Sequence, residues 1–169
     1  MNTLSNLSSR DFALVKTNTN QNILTTKVKN NCLVLFYTTT CTYCKPVLEI
    51  FRSMMRRPVN CNFAIVNISN NREIHLLSQQ TALPINYVPF IVYYRDGIPL
   101  LAYSGENDER SLLNFITQMG SNNPSNAQFM NGKSVDRNNI PGYTTGIPKN
   151  RNKARDVCYL TFDESRGYK

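Results

Sequence analysis

The stretch Cys32-Leu-Val-Leu-Phe-Tyr-Thr-Thr-Thr-Cys-Thr-Tyr-Cys-Lys-Pro-Val-Leu-Glu-Ile-Phe51 decides the fold. Its first six residues, Cys32 to Tyr37, are an unbroken apolar run of β-forming type, suited to a strand covered on both faces. Beyond it Val47, Leu48, Phe51, Met54 and Met55 recur with helical period until Pro58 ends the pattern. Cys41-Thr-Tyr-Cys44 therefore sits where a buried strand gives way to a helix. Backbone N–H groups and the positive end of the helix dipole stabilise a thiolate there, which lowers the pKa of the first cysteine, expected to be exposed. One turn later Cys44 returns beneath Cys41 and can close a disulfide with it. Cys41 is expected to be the attacking nucleophile and Cys44 the resolving thiol. Lys45 adds a positive charge beside them.

Outward from this stretch, Phe63–Ile68 reads as a second strand. Asn70, with Glu73 three residues on, is expected to cap a helix over 71–82 that carries Ile74 and Leu77. Pro89–Tyr94 and Ile98–Tyr103 flank Arg95-Asp96-Gly97, and Asp-Gly between apolar runs predicts a hairpin with a type I′ turn. Pro99 cannot donate to a ladder, which puts the last strand at the sheet edge. Asn107 or Asp108 caps a final helix with Leu112, Leu113, Ile116 and Met119 on one face, closed by Gly120. On the N-terminal side Phe12–Lys16 reads as a strand and roughly 20–30 as a poor helix. The order β-α-β-α-β-α-β-β-α closes near 119 and predicts an α/β fold with a central mixed sheet flanked by helices. Residues 120–169 hold five of the seven glycines and no helical period, so 1–119 is expected to be the domain and 120–169 an extended arm with one strand, Val157–Phe162.

Composition narrows the class. The chain has 169 residues, 41% of them hydrophobic, which is enough for one core without staples. No apolar run exceeds six residues, so no membrane-spanning helix is expected, and polar Met1–Arg10 predicts no secretory signal. Five cysteines are an odd, modest complement that points to a reducing compartment, where a close pair means catalysis or metal. The net charge is +8, and the last 51 residues alone hold 8 basic against 4 acidic residues, favouring acidic partners.

The run Val34 to Lys45, then Tyr87-Val88-Pro89 opening a strand, then Asp96-Gly97 with Gly105 eight residues later, resembles the thioredoxin superfamily over about residues 10–119. The resemblance implies a thioredoxin-like fold and a redox-active disulfide, Cys41–Cys44, in place of any cofactor. It also implies a cis proline at Pro89, facing the cysteine pair, with Val88 and Pro89 contacting an extended substrate segment. Thr40 stands where the family has Trp, and Thr40 and Tyr43 are expected on the substrate side. The family's buried Asp and Lys are matched by apolar Leu35 and Ile65, which predicts slower disulfide reduction. The Asn-rich composition and long tail also resemble thioredoxin-like proteins of large DNA viruses.

Competing readings attach to several residues. Zinc at the pair would need two more ligands from Cys32, Cys61, Cys158 or His75, and no second C-x-x-C spacing offers them, so no metal is expected. Cys32 and Cys61 read as core residues, His75 as a surface residue, and Cys158 is left without a role. Tyr43 is equally consistent with a docking patch. Lys149-Asn-Arg-Asn-Lys-Ala-Arg155 lacks interleaved aromatics, so no specific nucleic acid is expected. Two functions remain. One is an oxidoreductase acting on protein dithiols or disulfides, held in an assembly through 120–169. The other is a structural subunit, a minor capsid or virion component, with an idle dithiol. The location expected is the cytoplasm or a virion.

Overall fold

The computed structural model describes residues 2–121 and 156–160. The chain begins with β1 (Leu4–Leu7), a 3-10 turn at Ser9–Asp11, β2 (Phe12–Lys16), β3 (Asn22–Thr26) and β4 (Asn31–Tyr37). It continues through α1 (Cys44–Met54), β5 (Asn62–Asn67), α2 (Arg72–Gln79), β6 (Tyr87–Val88), β7 (Phe90–Arg95) and β8 (Ile98–Ala102). α3 (Glu109–Gly120) and β9 (Cys158–Tyr159) complete it. The central sheet is mixed, in the order β1-β5-β4-β7-β8. β1 and β4 run parallel to β5, whereas β7 runs antiparallel to β4 and β8.

Alternation along the strands divides the core into two layers. Leu33, Leu35, Phe63, Ile65, Ile91 and Tyr93 pack with Val47, Phe51 and Met54 of α1 and Leu112, Ile116 and Met119 of α3. Val34, Phe36, Val66, Phe90 and Val92 pack on the other side with Ile74 of α2, Phe12, Leu24, and both Cys41 and Cys44. Cys32 and Cys61 are buried, as their sequence setting required.

Three expectations are corrected. Residues 20–30 form no helix: β3 pairs antiparallel with β2, around a turn in which Asn20 takes φ 62°. Consecutive buried Ile23 and Leu24 followed by β-branched Thr25 and Thr26 favour a strand. The pattern of Leu4-Ser-Asn-Leu7 lacks period-2 alternation and predicts no strand, yet β1 forms there, held by backbone pairing along β5 from Leu4 opposite Phe63 to Leu7 opposite Val66. The cap of α2 falls on Asn71, not Asn70, and the Asn71 side chain accepts from Ser9 N and donates to the Asn67 carbonyl.

Other local signals translate directly. Asp96 (φ 50°) and Gly97 (φ 81°) form the expected turn between β7 and β8, and β8 is the edge strand that Pro99 demanded. Asp108 caps α3 through Oδ1, which accepts from Ser111 N at 2.9 Å.

Candidate active site

β4 ends at Tyr37, and the loop after it carries Cys41 to the head of α1. The turn is closed by Cys44 N donating to the Cys41 carbonyl at 3.2 Å. Cys44 is the first residue of α1, fully buried, with a free thiol. Burial pushes that thiol up to about 11, opposed by a backbone hydrogen bond at Thr38. Pro46 falls at the third helical position, where the backbone N–H has no acceptor within the helix, so α1 is continuous from Cys44 to Met54.

Cys41 is not paired with Cys44. It is bonded to Cys158, 117 positions further along the chain, with Cα atoms 5.9 Å apart. Cys41 is therefore not the exposed thiol expected but 1% accessible. What covers it is a strand of its own chain. β9 pairs antiparallel with β6, Tyr87 opposite Tyr159 and Val88 opposite Cys158. Leu160 N donates to the Asn86 carbonyl at 2.8 Å, extending the ladder by one bond. Alternation turns Cys158 and Leu160 onto the core layer that holds Cys41 and Cys44, while Tyr159 stays exposed with its ring 6.2 Å from that of Tyr87. The peptide Val88–Pro89 is cis, and the Val88 carbonyl oxygen lies 3.7 Å from Cys41 Sγ. Val88 and Pro89 thus stand beside Cys41, at the end of β6.

The platform under β9 is tied to α2. Ser78 Oγ accepts from Ile85 N at 3.0 Å and donates to the His75 carbonyl at 2.7 Å. Gln79 Nε2 donates to Asn86 Oδ1 at 3.2 Å, and His75 Nδ1 lies 2.9 Å from the Ile85 carbonyl. His75 is thus half-buried rather than on the open surface, and burial holds its pKa below the ordinary value.

Of the sequence-predicted site residues, Cys41, Cys44, Val88 and Pro89 come together. Thr40 and Tyr43 lie on the exposed rim of the same loop. Leu35 and Ile65 belong to the layer under α1 and α3, whereas Cys44 packs in the other layer. Cys158, Asn86 and Tyr87 were missed as site residues. Their signal was the Val157–Phe162 alternation. An added strand of this kind could meet any open sheet edge; β3 meets the β8 side, with Thr26 N bonded to the Gly97 carbonyl, and the pairing forms at β6. The residues weighed as zinc ligands are not gathered into a metal-holding group among the described residues. The basic run Lys149–Arg155 lies outside the described residues.

The family model for thioredoxin matches residues 12–118. The chain belongs to the thioredoxin family. It is 30% identical over 144 residues to "Uncharacterized protein 196R" of Invertebrate iridescent virus 6, covering 85% of this chain and 79% of that one. To "Uncharacterized protein 020R" of Invertebrate iridescent virus 3 it is 31% identical over 162 residues, covering 94% and 93%. Among solved structures, a thioredoxin of Malassezia sympodialis is 16% identical with a TM-score of 0.48, covering 72% of this chain and 92% of that one. In the thioredoxin family the redox-active disulfide is itself the site and no cofactor is used. No helix among the described residues is long and apolar enough to cross a membrane.

Proposed function

We propose that this chain is a thiol–disulfide oxidoreductase of protein substrates, with Cys41 as nucleophile and Cys44 as resolving thiol. The observation that carries the reading is the occupied groove: an extended, cysteine-bearing strand lies along β6 with its sulfur on Cys41. A site able to hold one such segment has the geometry to hold another, with backbone pairing supplying affinity. In the reductive direction, the Cys41 thiolate attacks a substrate disulfide and forms a mixed disulfide. Cys44 then attacks Cys41, releasing the substrate as a dithiol and leaving Cys41–Cys44 oxidised. An external dithiol restores the pair.

Thr40 and Tyr43 are the rim over which the substrate enters, and Val88 and Pro89 its backbone contacts. The remainder of 120–169, rich in basic residues, is the grip on a protein partner with an acidic face, in the cytoplasm or in a virus particle.

Reduction of insulin by the full chain with a dithiol donor, beside Cys41→Ser, tests the reading. Activity in the unmutated chain that the substitution abolishes supports it. Equal rates in both mean an idle pair, as in a purely structural subunit of a particle.

A further inference from the structure

We propose that Cys158 is a third redox cysteine of this site. The segment Val157–Leu160 is a tethered substrate whose bond to Cys41 is exchanged by Cys44, closing the groove in one disulfide isomer and opening it in the other. The inference rests on the reading that Cys41 and Cys44 carry out thiol–disulfide exchange. Three independent features place the segment as an occupant of the groove rather than a chance neighbour. Its backbone is in antiparallel register with β6, with Leu160 N bonded to Asn86. Its side chains alternate, Cys158 and Leu160 inward against the core layer and Tyr159 outward beside Tyr87. Its sulfur is joined to Cys41, while Cys44, one turn further on, keeps a free thiol.

The exchange balances without an outside oxidant. Cys44 loses its proton and its thiolate attacks Cys41 Sγ; the Cys41–Cys44 bond forms as the Cys41–Cys158 bond breaks. Cys158 leaves as a thiolate and takes up a proton. One disulfide and one thiol stand on each side. With Cys158 free, β9 is held only by its short ladder and leaves β6 open to a substrate segment. The inference also names the substrate class: an extended protein segment with an aliphatic residue, cysteine, an aromatic residue and an aliphatic residue in that order, as in Val157-Cys-Tyr-Leu160. The iridescent virus 3 relative is matched across 94% of this chain, well beyond the family's 12–118, so the arm belongs to the shared chain.

The test uses the full chain, oxidised, quenched in acid, alkylated and mapped by mass spectrometry, with Cys44→Ser and Cys158→Ser beside it. Expected are both Cys41–Cys158 and Cys41–Cys44 linkages in the unmutated chain, the first alone in Cys44→Ser and the second alone in Cys158→Ser. A tethered thiol acts at an effective concentration of the order of millimolar, so in Cys44→Ser a peptide joined to Cys41 by a mixed disulfide should be released by Cys158 about tenfold faster than the same peptide exchanges, in Cys44→Ser with Cys158→Ser, with a free peptide thiol at ~0.1 mM. Absence of any Cys41–Cys158 linkage in the unmutated chain, a measurement that needs no variant, overturns the inference. So do equal peptide rates with and without Cys158, even where insulin is reduced and the oxidoreductase reading stands. Interconversion of the linkages without insulin reduction supports the exchange and overturns the activity on protein substrates.

Discussion

At the scale of single residues, the cysteines divide by environment. Cys32, Cys44 and Cys61 are buried free thiols pushed up to about 12, 11 and 12, chiefly by desolvation. The folded chain therefore keeps protons that the unfolded chain gives up near the ordinary value of 9.0. The stability this confers is complete below pH 9 and is lost as the pH rises towards 11 and 12. Each thiol contributes a slope of about 1.4 kcal/mol per pH unit in that window. Urea midpoints measured from pH 8 to 10.5 should fall steeply above 9, and less steeply in Cys32→Ala; a flat profile contradicts the burial argument. The sequence displayed the strand–Cys-x-x-Cys–helix junction plainly, so the placing of Cys41 and Cys44 at the head of α1 was legible. The present partner of Cys41 was not. A bond between residues 117 positions apart leaves no spacing signal, and Cys158 became meaningful only when β9 brought it to β6.

At the scale of elements, the hairpin holds the end of the sheet away from Cys41, and the α2 network holds the run into β6. Gly97 sits at φ 81°, and a Cβ there would meet the Thr26 carbonyl oxygen at 2.1 Å. Neither the backbone conformation nor a neighbouring carbonyl can yield cheaply, so Gly97→Ala should cost more than about 2 kcal/mol by denaturation. A loss under 0.5 kcal/mol would show that the β3–β8 contact relaxes freely. Ser78 is the joint between α2 and the run into β6. Ser78→Ala strands the Ile85 N–H in the core, at about 1–3 kcal/mol. Because Asn86 and β6 follow directly, the fraction of Cys41–Cys158 linkage should drop with it; an unchanged linkage would mean the platform does not depend on α2. The Asp96-Gly97 turn and the Asp108 cap were readable because each is a local signal with its own chemistry. β1 and β3 were not. β1 is an edge strand fixed by pairing along β5, and β3 by packing of Ile23 and Leu24 against partners far along the chain.

At the scale of the whole molecule, a thioredoxin-family domain carries its own groove occupant at the far end of the chain. The expected division at 119 and 120 rests on a change in texture, since helical period stops where glycine and asparagine accumulate. Where the arm returns was not visible, because any exposed edge offers the same unpaired groups. A chain ending at Ser121 should fold with nearly the stability of the full chain, for the two core layers lie almost wholly within residues 4–119. It should also expose Cys41 to alkylation without prior reduction of any bond to the arm. Failure of that truncated chain to fold would make the arm part of the core. The central claim is that Cys41 performs exchange on a strand laid along β6, and trapping tests it most directly. In the full chain carrying Cys44→Ser and Cys158→Ser, Cys41 has neither its resolving thiol nor its tethered occupant. Mixed with an oxidised protein substrate, it should accumulate a stable mixed disulfide that maps to Cys41 alone and protects the backbone amide of Val88, which faces the added strand, from hydrogen exchange. No adduct at Cys41, or an adduct that leaves that amide unprotected, would contradict it.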